Sequence, residues 1–172
     1  STMVKALAQY YRICLSGVDD MTPLERELQH VKNYLIIQNM RYGDIIELEV
    51  EIPEKYNQIK FPKITLQPLV ENSIYHGIKL KEGRRGKIRI YTETEDDAFC
   101  IVVWDNGEGM TLEQIAYLNQ QIQIFDKNIG YGINNVNKRI ELIFGEGFGL
   151  RYYKNPEAGV SVKIRLPERE EE

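Results

Sequence analysis

The chain has 172 residues, 42% of them apolar, which is enough for one domain with a hydrophobic core of ordinary size. Its 22 Lys and Arg against 26 Asp and Glu give a net charge of -4, so no overall basic field is available to bind nucleic acid. The two cysteines, Cys14 and Cys100, lie far apart, which argues against a zinc cluster or a disulfide framework, and no apolar run is long enough to span a membrane.

Two amphipathic helices are predicted in the first part of the chain. Apolar residues recur at helical spacing over residues 4–15, and the sequence "SGVDD" interrupts the pattern. Thr22 is the predicted N-cap of the second helix, with Pro23 at its first position and Glu25 as the capping-box partner. We expect this helix to end near Tyr42, before a Gly-Asp pair, with its polar side facing solvent or a partner helix.

Strand patterns begin at residue 45. The segment "IIELEVEI" alternates apolar and acidic residues, and a short "IKFP" follows it after a turn, so the pair is predicted to form a hairpin. Further strands are predicted for "IRIYTETE", "FCIVVWD", "FGLRYYK" and "GVSVKIRLP". Helices are predicted over residues 66–79 and 111–121 and from a Gly-rich start near residue 130 to Gly145. These elements predict an α+β fold, a two-layer α/β sandwich with a mixed sheet and helices on one face.

The segment "LQPLVENSIYHGIK", residues 66–79, is predicted to be a helix with an unusual polar side. At 100° per residue its apolar residues form one arc, and the opposite face carries Glu71, Asn72, Tyr75 and Lys79. Taken alone, Asn72 is typical of an ordinary exposed helix residue. Its carboxamide oxygen is nevertheless a hard ligand that suits Mg²⁺, and a carboxylate such as Glu71 can orient or deprotonate an attacking group.

The segment "WDNGEGM" follows a strongly apolar strand. Asp105 lies at the carboxyl end of that strand, and Gly107 and Gly109 allow a positive φ or a close approach of the backbone to a ligand. A tight turn capped by the Asp is the alternative interpretation. If the ligand contains adenine, the carboxylate of Asp105 can accept a hydrogen bond from the exocyclic amine, where guanine has a carbonyl.

The segment "GYGINN", residues 130–135, precedes a predicted helix. Glycines at the start of a helix leave N–H groups aimed outward, which can form an anion site, but this motif alone is more typical of a Gly-rich loop leading into a core helix. About 33 residues separate Asn72 from Asp105, and about 25 more lead to this segment. The chain contains neither the Walker motif nor the dinucleotide-binding motif of a Rossmann fold.

Three motifs in this order carry a resemblance to a known family. The segments "LQPLVENSIYHG", "DNGEGM" and "GYGINNVNKRIELIFG" resemble the N box and the two glycine boxes of the histidine-kinase and gyrase ATPase superfamily. The chain is most similar to the LytS/YesM class of bacterial sensor histidine kinases, over about residues 22–167.

The resemblance implies ATP and Mg²⁺ as cofactors, bound in a Bergerat-type site. It assigns Asn72 as the Mg²⁺ ligand, Glu71 as the catalytic acid-base or water-orienting carboxylate and Asp105 as the residue that recognises adenine. The residues that it places around the nucleotide are Asn72, Tyr75, His76, Lys79, Asp105, Gly107, Gly109, Met110, Gly130, Tyr131, Gly132, Ile133 and Asn135.

The resemblance also implies a lid over residues 112–129, hinged at Gly130 and Gly132. The sequence departs from the family at two places. Tyr75 stands where many N boxes have Lys, and the lid contains a single Phe, Phe125, instead of a Phe-rich box. The lysines that remain to supply the missing phosphate contact are Lys79, Lys127 and Lys138.

The acceptor histidine of this class lies in a motif similar to P-H-F-L-Y-N, which the chain lacks. His30 is expected in an ordinary dimer-helix or surface role, and His76 is expected to line the pocket. The predicted organisation is a partial helical dimerisation segment over residues 1–42, a catalytic ATP-binding domain over residues 43–167 and a disordered acidic tail over residues 168–172. We therefore expect a fragment that binds ATP but does not phosphorylate itself.

The expected function is transfer of the γ-phosphoryl group of ATP to a His on the missing upstream helix, in cis or in trans within a homodimer, for relay to a response regulator. A membrane is expected to be reached only through missing N-terminal segments, with this domain in the cytoplasm. An anti-sigma-factor serine kinase and a non-catalytic nucleotide-binding regulatory module are the alternatives. The two helices before Ile45 favour the histidine kinase over the serine kinase, and an ATPase of the gyrase or mismatch-repair type would need a following transducer domain.

Overall fold

The computed structural model describes residues 1–15, 21–78, 85–96, 98–124 and 131–168 of the chain. Its helices are α1 (Thr2–Leu15), α2 (Leu24–Tyr42), α3 (Leu66–Asn72), α4 (Leu112–Gln123) and α5 (Tyr131–Phe144). Its strands are β1 (Met21–Pro23), β2 (Ile46–Glu51), β3 (Lys60–Pro62), β4 (Gly86–Glu95), β5 (Ala98–Asp105), β6 (Gly149–Lys154) and β7 (Val160–Pro167). A π-type turn, Ser73–Ile78, continues α3, and a short 3-10 turn, Glu54–Tyr56, follows β2.

Five strands form the main sheet in the order β2, β4, β5, β7, β6. Strand β2 runs parallel to β4, and the other neighbouring pairs are antiparallel. One face of the sheet is apolar, because alternate residues such as Ile88 and Ile101 point into the core that the helices share. The opposite face carries cross-strand ion pairs, among them Lys87–Glu49, Arg89–Glu51 and Lys163–Glu93. The predicted α+β sandwich with a mixed sheet is therefore confirmed.

The predicted hairpin of "IIELEVEI" with "IKFP" is wrong. Strand β2 pairs with β4, with Ile46 opposite Gly86, and β3 pairs instead with β1 in a separate two-stranded sheet. Between them, the 3-10 turn redirects the chain, and its Tyr56 ring stacks on Phe99 with a centroid distance of 5.1 Å. Alternation of apolar and polar residues shows that a strand has one wet face, but it does not identify the neighbouring strand.

The predicted capping box at the start of α2 is also wrong. Thr22 lies in β1, and Pro23 is the N-cap residue, with no side-chain hydrogen bond to the helix. The first N–H groups of the helix donate to backbone carbonyls instead: Leu24 to Ile59 at 2.8 Å and Glu25 to Asn57 at 3.0 Å. Pairing of β1 with β3 brings these carbonyls to the helix end, so the donors that a capping box would satisfy are already bonded.

The end of α2 follows the prediction. Gly43 takes the left-handed conformation, with φ 84°, and its N–H donates to the carbonyl of Asn39. The Asn39 side chain also donates to and accepts from the backbone of Ile46, which joins the end of the helix to β2. None of the helices in the described part of the chain has the length and apolar composition that crossing a bilayer requires.

The polar side of α2 divides between the two predicted environments, solvent and a neighbouring helix. Its exposed residues are Glu25, Arg26, Gln29 and Lys32. Glu27, His30 and Asn33 are buried, alongside the apolar stripe of the same helix. The stripe residues Leu24, Leu28, Val31 and Leu35 belong to the same core as the sheet. The division of the chain at residue 42 stays a prediction, although α2 packs as part of this core.

Candidate functional site

The helix that carries the first motif changes its form in the middle. It is α-helical up to Asn72 and continues as a wider π-type turn, a feature that often occurs at functional sites. The predicted inward arc is confirmed, since all of its members are buried: Leu66, Leu69, Val70, Ser73, Ile74 and Gly77. The wider turn lets consecutive residues on both sides of it, Asn72 with Ser73 and His76 with Gly77, line one cavity.

Asp105 forms the floor of that cavity at the carboxyl end of β5. Its side chain is 5% exposed, and Oδ1 accepts hydrogen bonds from the N–H groups of Gly107 at 2.9 Å and Val160 at 3.4 Å. The Asn155 side chain donates to the Asp105 carbonyl at 2.8 Å, and the Ser161 hydroxyl donates to Asn155 Oδ1 at 2.5 Å. Residues of β7 and of the turn before it thus fix both the backbone and the side chain of Asp105 by hydrogen bonds.

Three glycines allow the backbone to close around Asp105. A Cβ atom on Gly77 would lie 3.1 Å from Asp105 Oδ1, and one on Gly159, where φ is 82°, would lie 2.0 Å from the Asp105 carbonyl oxygen. A Cβ atom on Gly107 would lie 2.5 Å from the Gly77 backbone. Gly107 therefore serves the packing of the floor and does not itself line the cavity, whereas Gly109, with φ 81°, does line it.

The cavity has a volume of about 470 Å³. The predicted site residues that line it are Asn72, His76, Asp105, Gly109, Met110 and Ile133. The lining residues that the sequence did not indicate are Ser73, Gly77, Leu118, Tyr152 and Val160. Tyr152 and Val160 come from strands that cross back under the cavity, and nothing in their local pattern distinguishes them from ordinary core residues.

Tyr152 places a buried phenol beside Asn72. Its ring is 7% exposed, and its hydroxyl meets no residue in full hydrogen-bond geometry within the part of the chain that the structure describes. Burial raises the pKa of this phenol, and the neighbouring Asn72 carboxamide acts in the opposite direction. Asn119 of α4 bonds the backbone of the same residue twice, donating to its carbonyl at 2.9 Å and accepting from its N–H at 2.8 Å.

Asn119, which makes both of these bonds, belongs to the predicted lid, residues 112–129. Its first part is helix α4, which begins with Thr111 and Gln114 as a capping box and buries Ile115 and Ile122. This part is anchored on β6 and forms a wall of the cavity. Residues 125–130, with Lys127 and the predicted hinge Gly130, lie outside the described residues, so the rest of the lid stays a prediction.

Several predicted site residues lie away from the cavity lining. Tyr75 is 60% exposed, Asn135 and Lys138 are exposed on α5, and Gly132 packs against Pro68. Lys79 lies outside the described residues, as does the side chain of Tyr131, which begins α5. The structure thus brings the metal and adenine candidates together, but it does not bring every predicted phosphate contact to them.

Glu71, the predicted catalytic carboxylate, is half-buried next to Asn72 and is held by a neighbour on its own helix. Gln67 Nε2 donates to Glu71 Oε1 at 2.8 Å, and the Oε1 atom of the same Gln67 is bonded to Nε2 of His30 on α2. His30 is fully buried, so of the two predicted roles the surface role is wrong, and the dimer-helix role stays a prediction. Burial lowers the pKa of its imidazole, while the hydrogen bond to Gln67 opposes that change.

Glu27 holds the start of α3 in a similar way. Its carboxylate, 2% exposed, accepts hydrogen bonds from the backbone N–H groups of residues 64–66 at 2.6 to 3.3 Å. Burial raises the pKa of Glu27, and the hydrogen bonds from the backbone oppose that change. The Arg139 guanidinium of α5 donates to the carbonyls of residues 63 and 64 at 2.6 and 2.8 Å. The sequence did not indicate this group of contacts.

The side chains fit a metal ion only if the ion brings other ligands with it. Within the described residues, no group of three His, Cys, Asp or Glu side chains could hold a cation. Asn72 supplies one carboxamide at the cavity wall. Mg²⁺ suits such a site, because it keeps few protein ligands and completes its shell with water and phosphate oxygens.

Comparison with known proteins gives consistent results. A profile of the family described as "Histidine kinase-, DNA gyrase B-, and HSP90-like ATPase" matches residues 58–170, and a histidine kinase profile matches residues 1–46. Sensor histidine kinase YesM of Bacillus subtilis is 32% identical over 171 residues, which are 99% of this chain and 28% of that protein. Sensor protein LytS of Oceanobacillus iheyensis is 34% identical over 166 residues, which are 95% of this chain and 28% of that protein.

A solved structure shows the same fold. The catalytic domain of histidine kinase ThkA superposes with a TM-score of 0.58 at 21% identity, covering 86% of this chain and 94% of that chain. At this identity the likeness concerns the fold alone. The chain spans 28% of the length of the two sensor proteins named above, so it corresponds to one part of such a protein.

Proposed function

Because the chain belongs to the histidine kinase-, DNA gyrase B- and HSP90-like ATPase family, we propose that it is the ATP-binding catalytic part of a two-component sensor histidine kinase. The activity that we propose is transfer of the γ-phosphoryl group of ATP to a histidine upstream of this chain, for relay to a response regulator. The domain works in the cytoplasm, and any membrane anchor lies elsewhere in the parent protein. The observation that carries this proposal is a cavity with Asp105 at its floor and Asn72 on its wall.

Adenine fits this cavity by shape and by hydrogen bonding. Met110, Leu118 and Ile133 give the cavity apolar walls suited to a flat ring, and the Asp105 carboxylate is the buried acceptor at its floor. An ionised carboxylate has about four acceptor positions, so it can bind the exocyclic amine in addition to its backbone donors. Guanine presents a carbonyl there, which the carboxylate repels.

Asn72 is the proposed ligand of Mg²⁺, with phosphate oxygens and water in the remaining positions. When bound, the ion neutralises charge on the phosphates. The lining imidazole of His76 provides a further donor or acceptor on the same wall. These assignments concern an ion that arrives with the nucleotide, since the described side chains do not form a separate metal cluster.

Glu71 is the proposed catalytic residue. It lies one position before Asn72, and Gln67 holds one of its carboxylate oxygens at 2.8 Å. In the transfer, a nitrogen of the upstream histidine forms a bond to the γ-phosphorus while the bond from that phosphorus to the ADP oxygen breaks. Glu71 orients the attacking imidazole, and the main contribution of the site is to position the reactants.

Nucleotide binding tests the first half of the proposal. In Asp105→Asn, one acceptor oxygen becomes an NH₂ group that faces the adenine amine, so we expect ATP affinity to fall about 10- to 100-fold, as for a lost hydrogen bond to a charged group. Titration calorimetry with ATP and GTP measures this. Equal affinities for ATP and GTP in the unmodified chain would contradict the assignment of Asp105.

The metal assignment has a matched control. We expect Asn72→Ala to lose most of the Mg²⁺ dependence of ATP binding, whereas Gln58→Ala, which removes an exposed amide outside the cavity, keeps it. Titrations with and without Mg²⁺ give the comparison. An unchanged Mg²⁺ dependence in Asn72→Ala would exclude it as the ligand.

Phosphoryl transfer tests the second half. The chain is mixed with Mg²⁺-ATP and with the acceptor-containing helical segment of its parent protein, and phosphohistidine is measured on that segment. We expect transfer to the segment and none to His30 or His76 of the chain itself, since neither lies in an acceptor motif. ATP binding without transfer at any segment concentration would identify a nucleotide-binding regulatory module instead.

A further inference from the structure

Helix α2 holds the helix of the first motif at two levels. At the first level, the buried Glu27 carboxylate bonds the backbone N–H groups of residues 64–66, the donors at the start of α3. Ile64 in this segment has φ 57°, a left-handed conformation that β-branched residues rarely adopt. Such a conformation persists only where its surroundings fix it, so Glu27 determines where α3 begins.

At the second level, one turn further along α2, His30 reaches Gln67. The orientation of the Gln67 amide follows from its other bond: the carboxylate of Glu71 can only accept while it is ionised, so the nitrogen of Gln67 donates to it. The oxygen of Gln67 then faces His30, and Nε2 of the imidazole must be the donor. Three side chains thus form a directed row of hydrogen bonds, from α2 to the carboxylate beside Asn72.

We propose that His30 and Gln67 are positioning residues for the Glu71 carboxylate, so that the contact of α2 with α3 sets the direction of the catalytic group. This inference rests on the proposed function, in which Glu71 orients the attacking imidazole. His30 is fully buried and Gln67 is 4% exposed, whereas Glu71 is half-buried, so the row runs from the core toward the site.

The physical need for the row comes from the carboxylate itself. The last torsion of a Glu side chain is broad, so a half-buried carboxylate without a partner takes many directions. One bond from Gln67 fixes an oxygen of Glu71, and the bond from His30 fixes the amide of Gln67. Buried polar groups are costly unless they are bonded, and an apolar pair would fill the same space without that cost, which favours a role for the row beyond packing.

The test compares four variants in the transfer assay at saturating ATP. His30→Leu and Gln67→Leu each break the row, and we expect each to lower the transfer rate about tenfold, the effect of one lost hydrogen bond of ordinary strength. The double variant should be no slower than the slower single variant, since both changes remove the same row. His30→Gln keeps a donor at this position and should recover at least half of the rate.

ATP affinity and a control helix position separate positioning from damage to the fold. We expect ATP affinity in the row variants to change less than about threefold, because neither residue lines the cavity. Asn33→Leu changes a buried amide one turn further along α2, outside the row, and should keep the rate within about twofold. Unchanged rates in the row variants, or a loss of affinity as large as the loss of rate, would overturn the inference.

A measurement on the resting protein separates this inference from the proposed function. In ¹⁵N NMR spectra of the whole chain, we expect a neutral His30 imidazole with the proton on Nε2, and we expect its resonances to shift in Gln67→Leu. A proton on Nδ1, or no shift in the variant, overturns the row even if the chain transfers phosphoryl groups. Failure of transfer together with the expected spectrum would overturn the proposed function and, with it, the positioning role, while leaving the hydrogen bonds established.

Discussion

The floor of the cavity and the contact between α2 and α3 are both built from buried polar groups, yet they are held in opposite ways. At the floor, backbone packs on backbone, and Gly159 has no room for even one carbon atom beside Asp105. At the helix contact, long side chains such as Glu27 and Gln67 reach across and make hydrogen bonds. The floor therefore depends on volume in addition to its hydrogen bonds, whereas the helix contact depends on charge and on donors and acceptors alone.

The largest expected effect is the loss of the floor in Gly159→Ala. The new Cβ atom would lie 2.0 Å from the Asp105 carbonyl oxygen at a φ of 82°, so we expect a loss of about 3 kcal/mol or more in the free energy of unfolding, together with loss of ATP binding. Urea denaturation measures the first effect and calorimetry the second.

Gly43→Ala is the matched control for that variant. Gly43 has nearly the same φ, 84°, but among the described residues, its chain neighbours aside, no atom lies within 4 Å of the position of a Cβ atom there. Gly43→Ala should lose only about 1 kcal/mol in the free energy of unfolding, the cost of a positive φ for a residue with a Cβ atom, and its ATP affinity should be unchanged. Equal losses in the two variants would mean that conformation, and not volume, limits the floor.

The next effect tests the charge dependence of the helix contact. Glu27→Gln keeps the volume but turns one acceptor oxygen into a donor that faces backbone N–H groups, so we expect a loss of about 1 to 3 kcal/mol in the free energy of unfolding. Glu25→Gln, on the exposed side of the same helix, should stay within about 0.5 kcal/mol of the unmodified chain. Urea denaturation at pH 7.5 measures both losses. A similar loss of unfolding free energy in Glu27→Gln and Glu25→Gln would show that the Glu27 carboxylate does not stabilise the start of α3.

The same contrast explains what could be predicted from the sequence. A floor that needs close backbone approach leaves glycines at fixed places, and the motif from Asp105 to Gly109 was visible for that reason. The apolar arc of α3 and the strand-end position of Asp105 follow from periodicity alone, and both were confirmed. The apolar arc and the turn from Asp105 to Gly109 are short-range patterns in the chain, so one sequence records them, whereas the contact of Gly159 with Asp105 is long-range and was not predicted.

Long-range side-chain contacts leave no such record. Glu27 and His30 bond partners 37 to 39 residues away, and each looked like an ordinary polar position on a helix. The wrong hairpin and the wrong capping box have the same cause, since β1, β3 and β4 take partners that are distant in the chain. Apart from β1, local pattern predicted which helices and strands form, but not which of them meet.

A smaller effect is the pH dependence of stability, which His30 causes at the contact of α2 with α3 and not at the cavity floor. Burial lowers the pKa of His30 below its ordinary value of 6.5, so the unfolded chain takes up a proton before the folded one does. The stability that the neutral imidazole provides is therefore complete above about pH 6.5 and is lost as the pH falls from there toward the pKa of the folded state. The loss is limited to about 1.4 kcal/mol per pH unit for one proton.

His30→Gln should remove this part of the pH dependence when urea denaturation at pH 7.5 is compared with pH 5.5. Glu27 acts in the opposite direction, because its raised pKa makes the folded state bind the extra proton, so the variant must be compared with the unmodified chain at each pH. His76→Gln changes the other histidine of the chain, so this variant should lose as much stability between pH 7.5 and pH 5.5 as the unmodified chain does. The same loss in His30→Gln as in the unmodified chain would show that His30 does not cause it.

The smallest expected effect belongs to Tyr152, a buried polar side chain that lines the cavity beside its floor. Its hydroxyl lies beside the Asn72 carboxamide but meets no described residue in full hydrogen-bond geometry, so Tyr152→Phe removes a buried polar group that is at most weakly bonded. We expect a change of less than about 0.5 kcal/mol in the free energy of unfolding, possible in either direction, since the lost hydroxyl also leaves a small gap. Tyr153→Phe, the next residue of β6, is the control for removing a hydroxyl from the other face of the sheet. A loss above about 1 kcal/mol in Tyr152→Phe alone would show that Asn72 or a water molecule bonds this hydroxyl, and the wall of the cavity would then depend on donors and acceptors as the helix contact does.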